Sequence, residues 1–126
     1  MPEISAVAAQ TSGLIREEFV LVDARTYTIK PGCTGAQLKI YEELGFPQQL
    51  KYMGAPLAYL QAESGELNTL MHLWVYENAA DREQKRAAMF KDPNWHKYLE
   101  ANKQNGYVVA QRNCLMTPVS FAPIKR

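Results

Sequence analysis

The chain predicts a single α+β domain of the ferredoxin-like type, βαββαβ, and three observations carry that prediction. Four segments have strand character, two longer stretches repeat at the helical period, and only Ser64-Gly65-Glu66 separates the second strand from the third. A link that short joins antiparallel neighbours only. The expected product is a four-stranded antiparallel sheet with both helices on one face, because right-handed crossovers put them on the same side.

Residues 1–17 have no sustained period and contain Thr11-Ser12-Gly13, so they read as a flexible N-terminal arm; residues 18–126 make the domain and its Pro-rich tail. Residues 19–29, rich in Val, Thr, Tyr and Ile and stopped by Lys30-Pro31-Gly32, are the first strand. Thr34 followed by Gln37 has the spacing of a capping box and starts a helix, with Leu38, Tyr41 and Leu44 as its buried stripe. Gly45-Phe46-Pro47 interrupts that helix, since Pro47 cannot donate and disfavours helix in the residue before it. A further turn runs to about Met53 and closes at Gly54. Residues 56–63 are the second strand and 67–76 the third. Asn78, with Asp81 three positions on, caps the second long helix, and Asp92-Pro93 restarts it ahead of Trp95, Tyr98, Leu99 and Asn102. Asn105-Gly106 ends it. Residues 107–116 form the fourth strand, and the tail from Thr117 to Pro123 cannot extend a ladder.

The third strand has two unlike rows. Leu67, Thr69, Met71, Leu73 and Val75 point one way; Asn68, Leu70, His72, Trp74 and Tyr76 point the other. The aliphatic row is expected to meet the helices. The row with the histidine, indole and phenol, together with Arg25 and Tyr27 of the first strand, is then left on the open side of the sheet. An apolar patch of that size on a monomer is a liability, so a second copy packing sheet to sheet is the expected cover.

Composition removes several function classes. Charged residues are 21% of the chain and the net charge is +1, so no global field draws it to nucleic acid or to an anionic membrane. No window approaches the about 18 to 20 apolar residues of a membrane span, and the front of the chain lacks the basic start of a secretory signal, so a cytoplasmic location is expected. Cys33 and Cys114 belong to no CxxC motif and read as free, structural thiols. His72 and His96 offer no metal geometry, no Gly-rich loop or nucleophile elbow is present, and no cofactor is called for.

Several motifs add up to a resemblance. They are Arg25-Thr26-Tyr27-Thr28-Ile29-Lys30-Pro31-Gly32, Tyr41-Glu42-Glu43-Leu44-Gly45, Gly65-Glu66-Leu67-Asn68 with His72-Leu73-Trp74 and Tyr76, Asp81-Arg82-Glu83, and Asp92-Pro93-Asn94-Trp95. Over residues 22–123 the chain resembles the NIPSNAP family, a group within the dimeric α/β barrel superfamily; Ser120 and Ala122 depart from the family's tail. The resemblance implies a homodimer whose two sheets enclose a space, a setting in which related barrels bind small organic molecules. It implies no particular reaction.

The candidate site is accordingly His72 and Arg25 as catalytic residues, with Tyr27, Asn68, Trp74 and Tyr76 as ligand-binding residues. His72 would titrate near neutrality and move a proton, and Arg25 would hold a carboxylate or enolate in its fork. The structural alternative has His72 bonded to Asp23, Arg25 in an ion pair and the aromatics as dimer core. Three functions follow: a binder of a small aromatic or carboxylate molecule in the inter-sheet space; a cofactor-independent monooxygenase, isomerase or lyase; and an interaction module without a pocket.

Overall fold

The computed structural model describes residues 19–125, so the expected N-terminal arm, residues 1–17, lies outside the described residues. The elements run β1 (Leu21–Ile29), α1 (Thr34–Ile40), a π-helical turn (Tyr41–Gly45), α2 (Phe46–Met53), β2 (Ala58–Gln61), β3 (Thr69–Tyr76), α3 (Ala79–Phe90), α4 (Pro93–Asn105) and β4 (Val108–Met116). All pairings are antiparallel and the strand order is β2-β3-β1-β4, the ferredoxin-like arrangement with β1 and β3 in the centre. No helix among the described residues is long and apolar enough to cross a membrane.

Local chemistry accounts for most boundaries. Asn68 sits at φ 65°, a left-handed conformation that short polar side chains tolerate, and this turns the chain into β3 one residue after Leu67. Asn78 Oδ1 accepts from the Asp81 N–H at 2.8 Å while Asp81 Oδ2 accepts from the Glu77 N–H at 2.9 Å, so the start of α3 is capped from both sides. Asp92 caps α4 through the Asn94 N–H at 2.8 Å, and left-handed Gly106 ends that helix.

The first crossover differs from expectation in two ways. Thr34 and Gln37 form no capping box: Cys33 occupies the cap position, the Thr34 hydroxyl turns to Asn68 Oδ1 at 3.5 Å, and Gln37 is buried. Nor does Pro47 break the helix. The turn before it widens to the π form, and Pro47 falls in the first turn of α2, where its missing N–H is least costly. A row spaced by four residues drifts off one face of a 3.6-residue helix, and the wider turn takes up the drift. Gln37, Tyr41, Gly45, Gln49 and Met53 are therefore all buried, whereas Leu44 of the expected stripe is exposed. Gly45 is required by a close approach, because a Cβ there would lie 2.9 Å from the Tyr41 ring and 3.1 Å from that of Tyr98.

The main correction concerns the two faces of the sheet. Leu70, His72, Trp74 and Tyr76 are 1–3% exposed and lie under the helices, while Met71 is 37% exposed. The expected orientation is reversed: Trp74 and Tyr76 join Tyr41, Met53, Met89, Trp95 and Tyr98 in the helix–sheet core. Volume explains the choice. The Val, Ala and Thr row of β1 is too small to occupy the space between sheet and helices, and the aromatic row supplies the larger side chains found there. On the open face Val20, Val22 and Val75 make a smaller cluster with Leu57 and Leu73, and Ile124 of the tail returns to pack against it. Cys33 is half-buried and Cys114 exposed; both are free, but Cys114 is not the buried thiol expected.

Candidate functional site

Strand register sets out the floor of the site. Arg25 pairs with His72 across β1 and β3, Tyr59 pairs with His72 across β2 and β3, and Tyr27 is the next residue of β1 on that face. The His72 ring is stacked between Tyr27 at 4.9 Å and Tyr59 at 4.5 Å, tilted from them by only 14° and 6°. From below, Trp74 Nε1 donates to His72 Nδ1 at 2.5 Å. An indole N–H can only donate, so Nδ1 carries the lone pair and the proton of the neutral ring is on Nε2.

Burial, and then the neighbouring Arg25 guanidinium, push the His72 pKa down to about 3. The imidazole is neutral at physiological pH, which overturns the expectation that it titrates near neutrality. It is also not bonded to Asp23. That carboxylate, fully buried, instead takes Arg25 Nη1 at 3.2 Å, Arg82 Nε at 3.0 Å and Asn113 Nδ2 at 3.0 Å. Burial alone would raise the Asp23 pKa; the Asn113 bond and the two guanidiniums outweigh it and hold the group below its ordinary value. Arg25 also donates from Nε to the Tyr27 hydroxyl at 3.0 Å. For Arg25, burial opposes the charge, but Tyr27 and Asp23 more than compensate and the pKa is raised.

Arg86, on the exposed side of this cluster, is in the opposite situation. Burial and then the like charges of Arg25 and Arg82 lower its pKa, and among the described residues it forms no salt bridge. Two guanidiniums, of Arg25 and Arg82, thus share one buried carboxylate and a third, of Arg86, lies near them without a partner of its own, leaving local positive charge in excess.

Between this floor and the helices lies a cavity of about 180 Å³. Its walls include Arg25, Tyr27, His72 and Arg86, with Gln37 from α1 and Trp95, Tyr98 and Asn102 from one side of α4. Gln37 Nε2 donates to the Tyr98 hydroxyl at 3.2 Å, and the Tyr41 hydroxyl donates to Gln49 Oε1. Burial raises the phenols of Tyr41 and Tyr59 and pushes that of Tyr98 up to about 12, so all three remain protonated. Three buried polar atoms on the cavity's own residues have no hydrogen-bond partner: Gln37 Oε1, Trp95 Nε1 and Asn102 Oδ1. Such orphans are rare in native interiors and each costs on the order of 1–3 kcal/mol when left dry.

Of the residues expected in the site, His72, Arg25 and Tyr27 line the cavity together. Trp74 lies behind His72 as its hydrogen-bond donor, and Tyr76 donates its hydroxyl to Met53 Sδ at 3.4 Å, so both are core. Asn68 is not in the cavity wall; its backbone carbonyl accepts from the Ile29 N–H at 2.7 Å and it shapes the turn. Gln37, Tyr59, Arg86, Trp95, Tyr98 and Asn102 were missed. The available signals were Gln37 and Gln49 on a row of buried positions four apart, and polar Asn102 two helical turns beyond Trp95.

The fold and this site define a ferredoxin-like α+β domain that carries a polar, arginine-bearing cavity between its sheet and its helices. The chain belongs to the NIPSNAP family, whose model matches residues 22–123. It is 38% identical over 73 residues to a NipSnap homolog of Dictyostelium discoideum, an alignment that covers 58% of this chain and 32% of that protein, so the chain spans about a third of that curated relative. A NIPSNAP family protein of unknown function from Agrobacterium tumefaciens has a similar solved structure, with a TM-score of 0.78 and 29% identity over 86% of this chain and 96% of that one. A putative antibiotic biosynthesis monooxygenase from Nitrosomonas europaea shares the fold alone, at 10% identity and a TM-score of 0.57 over 80% of this chain and 91% of its own.

Proposed function

We propose that this NIPSNAP protein binds a small organic anion, aromatic or carboxylate-bearing, in the cavity between its sheet and its helices. The observation that carries the reading is a void lined by two guanidiniums, on Arg25 and Arg86, and by Gln37, Trp95 and Asn102, each of which has a buried polar atom without a partner. An arriving anion relieves the like-charge crowding and offers an acceptor to the Trp95 N–H, while the Gln37 and Asn102 amide oxygens, which only accept, take a hydroxyl donor or a water carried in with it. Size agrees: a dry cavity of about 150 Å³ admits benzene, so about 180 Å³ suits one six-membered ring with a carboxylate. The site is thus moved from the inter-sheet space to the interior of one subunit.

Benzoate, with benzyl alcohol as the neutral control, is the test, read by titration calorimetry. Benzoate is expected to bind and the alcohol to bind at least tenfold more weakly. Arg86→Gln, which removes a charge without opening the Asp23 network, is expected to weaken benzoate by roughly tenfold, about 1.4 kcal/mol. Equal affinity of acid and alcohol, or no effect of Arg86→Gln, would sink the anion reading.

Dimerisation sheet to sheet remains part of the proposal. Leu60, Met71 and Met116 are exposed on the open side of the sheet, an apolar surface that a second copy would cover. Sedimentation equilibrium at micromolar concentration is expected to give twice the subunit mass; a monomer there removes this part. The free thiols of Cys33 and Cys114 favour a reducing compartment such as the cytoplasm. For the alternative of a cofactor-independent monooxygenase, isomerase or lyase, a neutral His72 supplies a hydrogen bond to developing charge and not a proton shuttle.

A further inference from the structure

The geometry points to Trp74 as a positioning residue that locks His72 in its Nε2–H tautomer, so that a neutral imidazole donates a hydrogen bond to an oxygen of the cavity's anionic ligand. The inference rests on the anion-binding reading and assigns His72 and Trp74 their parts in it. Three constraints act on one ring. The indole N–H of Trp74 can only donate, and at 2.5 Å it occupies the Nδ1 lone pair. Tyr27 and Tyr59 hold the ring plane from both sides, at 4.9 and 4.5 Å, so the ring cannot turn without displacing a phenol. His72 lines the cavity whereas Trp74 does not, so Nδ1 is committed to the wall and the remainder of the ring faces the void. Among the described residues Nε2 makes no hydrogen bond, although it carries the ring's only N–H.

A donor held this way is already oriented before the ligand arrives, and it adds no charge beside Arg25. That suits a carboxylate, in which one oxygen takes the guanidiniums and the other takes His72. Burial holds the imidazolium form well out of reach near neutral pH, consistent with the same assignment.

The test is ¹⁵N NMR of the imidazole in the ligand-free protein at neutral pH, followed by addition of benzoate, in the wild type and in Trp74→Phe. The expected wild-type signature is a bare Nδ1 and a protonated Nε2, with the Nε2–H resonance moving on benzoate addition. In Trp74→Phe the two nitrogens are expected to average toward mixed tautomers and benzoate to weaken by roughly tenfold, the weight of one hydrogen bond to a charged group. A protonated Nδ1 or a doubly protonated ring in the wild type overturns the inference while leaving the anion site standing. So does benzoate binding that leaves Nε2–H unmoved. Failure of the wild type to bind benzoate overturns both. The wild-type spectrum decides the tautomer even where Trp74→Phe does not fold.

Discussion

On the helix-covered face of the sheet, Asp23, Arg25, Tyr27, His72 and Trp74 form one hydrogen-bonded and stacked layer; on the opposite face, Val22, Ala24, Thr26, Met71, Leu73 and Val75 make no side-chain hydrogen bond among the described residues. Both rows come from the same two central strands and interleave residue by residue. The difference teaches that polarity here follows shelter. The groups that need fixed partners lie where the helices exclude water, so that a guanidinium or an imidazole N–H acts in a low-dielectric setting, while the rows of β1 and β3 on the other face carry mostly aliphatic side chains. For a chain with an expected pocket and an expected dimer contact, the two have separate faces.

The largest break in that contrast is Asp23→Ala. It leaves Arg25 and Arg82 without their shared carboxylate beneath the helices, and a loss of about 3–5 kcal/mol in urea unfolding is expected. A loss under about 1 kcal/mol would mean that water reaches this layer and that the covered face is not the sheltered one.

Acid sharpens the contrast next. Folded His72 takes up a proton only near pH 3, whereas in the unfolded chain an imidazole does so near 6.5, so between those values the unfolded state holds more protons. Stability therefore falls as the pH drops through this window, by about 1.4 kcal/mol per unit, and is regained above 6.5. Asp23, whose pKa is held below its ordinary value, contributes stability that is lost as the pH falls through its folded value. Denaturant midpoints measured between pH 7 and 4.5 should show the slope, and His72→Gln should flatten it. A flat wild-type profile would place the imidazole in contact with solvent.

The smallest effect belongs to the open face. Met71→Glu is expected to change the stability of the isolated subunit by less than about 0.5 kcal/mol and to leave benzoate affinity unaltered, because Met71 points away from the cavity, while it lowers self-association in sedimentation. A drop in benzoate affinity matching that of Arg86→Gln would return the site to the open face.

Much of the fold was legible. The order of elements, the antiparallel pairing of β2 with β3, the Asn78 and Asp92 caps and the Gly106 stop depend on neighbours within a few residues, and local sequence encodes them directly, although β2 ends at Gln61 and β3 starts at Thr69, a longer link than Ser64-Gly65-Glu66. The site was legible only in part. His72, Arg25 and Tyr27 share a face by strand alternation and line the cavity together, whereas Asn68, in a left-handed conformation, leaves the alternation and lies outside its wall. Gln37 reads as part of a cap in the sequence, since the group it meets is distant: it reaches Tyr98 across 61 positions.

By itself, then, the sequence determined which side chains share a face: His72 with Trp74 and Tyr76, and Met71 with Leu73 and Val75. A period of two is unchanged when the strand is turned over, so it does not say which row goes inside. Only the tertiary structure decided that, through the volume that two helices leave above the sheet. The aromatic row occupies it, apart from the void beside His72, and this put the histidine and Arg25 in the wall of a cavity between sheet and helices.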